Sequence, residues 1–388
     1  MRSQNVLHVI TALDRGGSAA GALATCVGLA ERGWQVSLAH GTVADQPTPL
    51  LDKATRAAGI DWIEIPDLVA GDEPLADVRA LATLSSIVQR GGFDLIHTYG
   101  GKAGLLGRRA ARGLGCKVVH APSSSVFASD PDRPRGGLGE VAEQRAARWC
   151  DRIIVPTDQG RTDHLNHGIG THEQFVTIPA GIAVGWFRDH LPSRSTARAT
   201  FNLPAAARVL GSSGELTPLA GHSVLLEAMG RLDGPLAGAH LLLVGDGALR
   251  PVLEAQVAAG RLAGRVVFAG RTDDPRPALA AMDLFVAPSL DGGPVRPVVE
   301  AMAAGLPVIA SAVGDLPELL GGGTAGLLVP VGDPEALARA IQRLAATPDQ
   351  HQGLAHAARQ RAALYDEQTV IDRLDRLYRE LVAGSSPR

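Results

Sequence analysis

The chain has 388 residues, 45% of them apolar and 20% charged, with a formal net charge of −3. That balance excludes a disordered chain and a nucleic-acid-coating one, and because one core rarely grows past about 250–300 residues, two domains are expected. Three dispersed cysteines (Cys26, Cys116, Cys150) exclude a disulfide framework and a cysteine zinc site, and no apolar run is long enough to span a membrane.

Asn5-Val6-Leu7-His8-Val9-Ile10 reads as a first strand, nearly continuous in apolar residues as a strand buried on both faces must be. The run continues to Leu13 and meets Asp14-Arg15-Gly16-Gly17 with no cleavage-like site, so no signal peptide is expected and the protein is placed in the cytoplasm. Gly16-Gly17 then opens a helix from about Ser18 to Glu31. This loop reads equally as a tight turn or as amides facing an anion at a helix N-terminus, but it lacks the GxGxxG spacing of a dinucleotide site.

Further strands are expected at Trp34–Ala39, Phe93–His97, Lys117–His120 and Arg152–Val155, with a helix over Lys102–Arg112. Pro131–Gly139 reads as a mobile surface loop. After Pro179-Ala180-Gly181 a second series begins, with strands at Arg208–Gly211, His240–Gly245, Val266–Gly270, Leu284–Pro288 and Pro307–Ala310. Asp333-Pro334-Glu335 caps a helix whose Leu337, Ile341 and Leu344 share one face, and Val370, Leu374, Leu377, Tyr378 and Leu381 mark a closing amphipathic helix. Strands alternating with helices give an α/β class with parallel sheets in two halves. Lysine occurs only at Lys53, Lys102 and Lys117, so none in the last two thirds is available to grip a phosphate.

The richest segment runs from Ala287 to Ser311. Asp291-Gly292-Gly293-Pro294 follows a strand, Arg296 and Glu300 lie on the next short helix, and Gly305-Leu306-Pro307 leads into another strand. Loop amides there can serve hydroxyls or phosphates, and Glu300, expected in the first turn of that helix, can accept two hydrogen bonds from a diol, although a first-turn Glu is also ordinary helix chemistry.

This segment resembles the signature of the family 4 glycosyltransferases, and the likeness extends along nearly the whole chain. The Gly16-Gly17 loop resembles the family's N-terminal glycine loop. Gly101-Lys102-Ala103-Gly104-Leu105-Leu106-Gly107-Arg108, Ala147–Thr157, Ile178–Ile182, Val244-Gly245-Asp246-Gly247 and Val313–Glu318 are similar to its other segments, in order. The resemblance implies a GT-B fold: two Rossmann-like parallel-sheet domains facing across a cleft. Residues 1–182, joined by the closing helix 366–388, would hold the acceptor, and residues 183–365 the donor.

It also implies a retaining, nucleotide-sugar-dependent transferase of polysaccharide-biosynthesis type, with a glycan or lipid-linked acceptor, no metal or other cofactor, and no nucleic-acid partner. Glu300 matches the second acid of the family's Glu-x7-Glu motif and would bind the donor ribose. Gly292, Gly293, Gly16, Gly17, Gly245 and Asp246 would contribute to donor binding. A basic helix with Lys102, Arg108, Arg109 and Arg112 would allow peripheral contact at the inner face of a membrane, or be a solvated face.

The departures fall where the chemistry should be. Where the family carries an arginine and a lysine for the diphosphate, this chain has Glu215 and Ala220. The first acid of Glu-x7-Glu falls on Gly292, so Asp291 is its substitute if Val295 is a one-residue insertion. Ser123 stands in place of a donor-site histidine, and Ala180 in place of an asparagine. Asp291 and Ser123 are therefore the catalytic candidates. Arg15, Lys102, Arg271, Arg276 and above all Arg296 are candidates to restore positive charge to the donor site. Two functions follow: glycosyl transfer, or a catalytically impaired homologue that binds a glycan, a nucleotide or a partner.

Overall fold

The computed structural model describes residues 4–13, 17–41, 58–71, 73–122, 138–260, 262–293 and 295–384. The chain divides into two compact units, one of residues 1–181 with 367–388 and one of residues 182–366.

The first unit is built on a seven-stranded sheet. Its strands are β1 Asn5–Ile10, β2 Gln35–His40, β3 Asp61–Glu64, β4 Leu95–Tyr99, β5 Lys117–Ala121, β6 Arg152–Val155 and β7 Phe175–Thr177, in the order β3-β2-β1-β4-β5-β6-β7. Every pairing is parallel. Parallel strands need crossovers that cover both faces, and this one-layer sheet accordingly has a core on each side. Helix Gly17–Glu31 and the closing helix Glu367–Ala383 cover one face, where Val6, Leu38 and Leu95 meet Leu23, Val370 and Leu374. Helices Pro74–Gly91 and Lys102–Ala111 cover the other, against Leu7, Val9 and Ile96.

The closing helix is bound along its length. Arg32 pairs with Asp372 at 2.6 Å, and Trp34 Nε1 donates to Asp375 at 2.6 Å. The Tyr378 hydroxyl is hydrogen-bonded to His97 Nδ1 in the middle of the sheet. His8 is the register partner of His97, and its Nδ1 lies 3.0 Å from the Tyr99 hydroxyl. Both imidazoles are essentially without solvent exposure, and burial holds both far below the usual histidine range, His8 at about 3.

The second unit repeats the plan with six strands: β8 Val209–Ser213, β9 His240–Val244, β10 Val266–Gly270, β11 Leu284–Ala287, β12 Val308–Ser311 and β13 Leu327–Val329, ordered β10-β9-β8-β11-β12-β13 and again parallel. Cores again occupy both faces. Asp333 caps helix Pro334–Ala346 by accepting from the Glu335 and Ala336 amides, and Leu337, Ile341 and Leu344 are buried.

The helix Lys102–Ala111 corrects one expectation. Arg108 is not part of a basic outer face: it is fully buried and pairs with Glu143, its Nη2 reaching both carboxylate oxygens at 2.7 and 2.8 Å. Lys102 is held by Asp77 at 2.6 Å. Only Arg109 and Arg112 of the four remain exposed. Among the described residues, no helix is long and apolar enough to cross a membrane.

Candidate functional site

In a parallel sheet wound in both directions, ligands bind beyond the strand C-termini at the point where the strand order reverses. In the second unit that point lies between β8 and β11. The loops leaving these two strands, with the start of helix His222–Gly230, enclose a pocket of about 180 Å³. From the β8 side it is lined by Ser212, Ser213, Glu215, Thr217, Ala220 and His222, and from the β11 side by Pro288, Ser289, Asp291 and Gly293. A second cavity, of about 200 Å³, lies at the opposite ends of β8 and β11 beside Arg208, Asp283 and His351, where ligands of this fold class do not ordinarily bind.

Backbone hydrogen bonds lock the surrounding loops together. Leu290 N donates to Leu219 O at 2.8 Å across the pocket, and Leu216 N donates to Asp246 O at 3.1 Å, tying the β8 loop to the β9 loop. Gly245 and Gly293 are glycine for steric reasons. At Gly245, φ is +130° and a Cβ would stand 1.9 Å from Gly214 O; at Gly293, φ is +148° and a Cβ would stand 2.7 Å from Leu316 Cγ.

The residues expected from the sequence are not all brought together. Asp291 and Gly293 line the pocket; Asp291 Oδ1 accepts the Gly292 amide at 2.8 Å, and Gly292 sits exposed at the loop tip with φ +65°. Glu300 and Arg296 lie on the helix Val295–Ala303 that leaves this loop; because the helix begins at Val295, Glu300 falls in its second turn and not in its first, one turn beyond Arg296, whose Nε is 2.9 Å from Glu300 Oε1. The Glu300 side chain is 9% exposed and that of Arg296 40%. Burial raises the Glu300 carboxyl above the ordinary carboxylate range, and the Arg296 guanidinium partly opposes that shift.

Gly245 and Asp246 follow β9, on the other side of β8 from β11, with Gly245 packed against Gly214, which lines the pocket. Asp246 is held below the usual range by the Gly247 amide and then by Arg250, whose Nη1 lies 3.2 Å away. Gly17 begins the first helix of the other unit. Gly16, Arg15, Ser123 and nearly all of the Pro131–Gly139 loop lie outside the described residues.

Among the expected replacement cations, Arg276 is held by Asp274 at 2.8 Å and stacks over Trp186, and Lys102 is paired with Asp77. Arg271 is exposed and follows the edge strand β10. Sequence reasoning missed Ser212, Ser213, Ser289 and His222. The His222 ring is buried and held neutral, at about 4, with Nε2 3.4 Å from Ser212 Oγ. The available signal was positional: His222 lies two residues beyond Ala220.

Comparison with known proteins decides the family. The pattern described as glycosyl transferase 4-like domain matches residues 16–181, and that described as glycosyl transferases group 1 matches residues 207–347. The chain belongs to the family 4 glycosyltransferases. It is therefore a transferase acting on glycosyl groups, with two Rossmann-like units of the GT-B class.

The chain is 28% identical to D-inositol 3-phosphate glycosyltransferase from Saccharomonospora viridis, over 96% of this chain and 90% of the relative. It is 27% identical to the protein of that name from Mycobacterium marinum, over 95% of this chain and 82% of the relative. Among solved structures, sucrose-phosphate synthase from Thermosynechococcus elongatus matches with a TM-score of 0.83 at 25% identity, covering 98% of this chain and all of that one. HepE from Anabaena, in complex with UDP and glucose, matches with a TM-score of 0.82 at 21% identity, covering 97% of this chain and all of that one.

Proposed function

We propose that this chain transfers a sugar from a nucleotide-sugar donor to a hydroxyl of a glycan or lipid-linked acceptor with retention of anomeric configuration. The observation that carries the reading is the strand-reversal pocket joined by one glycine loop to the nine-tenths-buried Glu300. Glu300 accepts the ribose hydroxyls, and the Gly292–Gly293 loop offers the Gly293 amide to the sugar or phosphate, the Gly292 amide being taken by Asp291. The Asp291 carboxylate accepts sugar hydroxyls. The bond from the anomeric carbon to the donor phosphate breaks as the acceptor oxygen bonds to that carbon on the same face, and the acceptor proton passes to the departing phosphate oxygen. Helix N-termini and arginine neutralise the leaving group, with no metal. The relatives named for inositol-phosphate glycosylation and the neighbour holding UDP and glucose support a nucleotide-sugar donor.

One observation favours a second reading, a catalytically impaired homologue that binds a glycan, a nucleotide or a partner. The pocket is lined by two carboxylates, Glu215 and Asp291, and by no lysine or arginine among the described residues. Thermal unfolding with millimolar UDP, GDP, ADP and CMP and the common UDP- and GDP-sugars separates the two. Ligand at 100 times its Kd adds about 2.7 kcal/mol, so one nucleotide series is expected to raise the Tm by several degrees and its sugar to be transferred in a product assay. A shift without transfer identifies the impaired homologue, and no shift overturns the donor reading.

A further inference from the structure

A nucleoside diphosphate carries two or more negative charges, and the pocket proposed to receive it already contributes Glu215 and Asp291. A cation has to reach the phosphates from just outside the lining. At the start of helix Arg250–Ala259, which follows the β9 loop, Arg250 is held by both Asp246 and Glu254, and Arg271 follows β10, two strands from β8. Arg296 is closer along the chain, three residues beyond the pocket-lining Gly293, and among the described residues its half-exposed guanidinium is anchored by Glu300 Oε1.

That anchor is also the carboxylate proposed to take the ribose. A ribose diol engaging both Glu300 oxygens competes with Arg296 Nε for Oε1, and the long arginine side chain is then free to turn. We infer that Arg296 is a two-position cation of this site: it closes on Glu300 when the site is empty and moves onto the ligand's phosphate when a nucleotide binds. The inference rests on the donor reading and adds how that site neutralises its ligand. Ribose and phosphate recognition are thereby coupled through one side chain. Removing Arg296 has opposite effects on two ligands: a nucleoside gains a freed Glu300, whereas a diphosphate loses its cation.

The test is calorimetric titration of the full chain with UDP, GDP, uridine and guanosine. For whichever base binds, Arg296→Gln is expected to weaken the diphosphate at least tenfold while leaving nucleoside affinity equal or improved. Ala220→Lys, which places an ammonium in the pocket lining, is expected to restore diphosphate binding in the Arg296→Gln background and to leave the nucleoside unchanged. Equal losses for nucleoside and diphosphate, or an unchanged diphosphate, overturn the inference and leave the donor reading standing. No binding of any nucleotide by the unsubstituted chain overturns both. If Arg296→Gln unfolds early, Arg296→Lys keeps the charge without the planar fork and is expected to show a smaller loss for the diphosphate alone.

Discussion

Glu300 meets three conditions that suit a carboxylate to holding a ligand. It is nine-tenths buried, raised by that burial, and anchored through one oxygen by a half-exposed arginine. Burying a carboxylate with incomplete partners is costly, so a ligand that completes its hydrogen bonds gains from the site's own deficit. Glu300→Ala is expected to lower kcat/KM for sugar transfer at least tenfold, with unfolding monitored in parallel. An unchanged kcat/KM would remove Glu300 from donor binding. Glu300 and Arg296 were identifiable in the sequence because both lie in the segment that resembles the family signature, Glu300 at the place of its second acid and Arg296 beside its glycine loop; their contact with each other was not read there. Ser212 and His222 were not, because their role depends on β8 lying next to β11, and those strands are about seventy residues apart in the chain.

Among the elements, helix Lys102–Ala111 shows how composition alone misleads. Its basic residues suggest an outer face, yet Arg108 turns inward to Glu143 because the crossover helix Leu138–Ala147 presents a carboxylate to it. Breaking such a buried pair leaves an uncompensated charge. Arg108→Ala is expected to destabilise the protein by about 3–5 kcal/mol in urea unfolding, and Arg108→Met combined with Glu143→Met to recover most of that loss. A single substitution costing under about 1 kcal/mol would show that the pair is effectively solvated.

Strands with a continuous apolar run were legible in the sequence: β1, β6 and β10 begin and end where their residue pattern places them. The edge strands β7 and β13, three residues each, carry too few residues for any period to register. The four-residue β3 begins with Asp61 and ends with Glu64, so its pattern resembles a loop.

For the whole molecule, the buried histidines set a pH window. His8 and His97 are held neutral by burial, with the Tyr99 and Tyr378 hydroxyls and the Cys26 thiol as their titratable neighbours. Above pH about 6.5 folded and unfolded histidines are both neutral and stability is complete. As pH falls the unfolded chain gains protons that the folded chain refuses, so stability declines below pH about 6.5: for His8 by on the order of 1 kcal/mol per pH unit down to about 3, and for His97 in the same direction. Urea midpoints across this range, compared with those of His8→Gln, are expected to show a shallower decline in the variant. A flat profile in the unsubstituted chain would contradict the neutral-histidine assignment.

The closing helix has a consequence in time. It supplies Tyr378 to His97 and Asp375 to Trp34, so the first unit is assembled from both ends of the chain, with the whole second unit inserted between them. During synthesis the second unit emerges complete and is able to fold, while the first, begun earlier, still has an apolar face open to water. The half of the protein that leaves the ribosome first is therefore finished last, and until then it is the half exposed to chaperones and proteases.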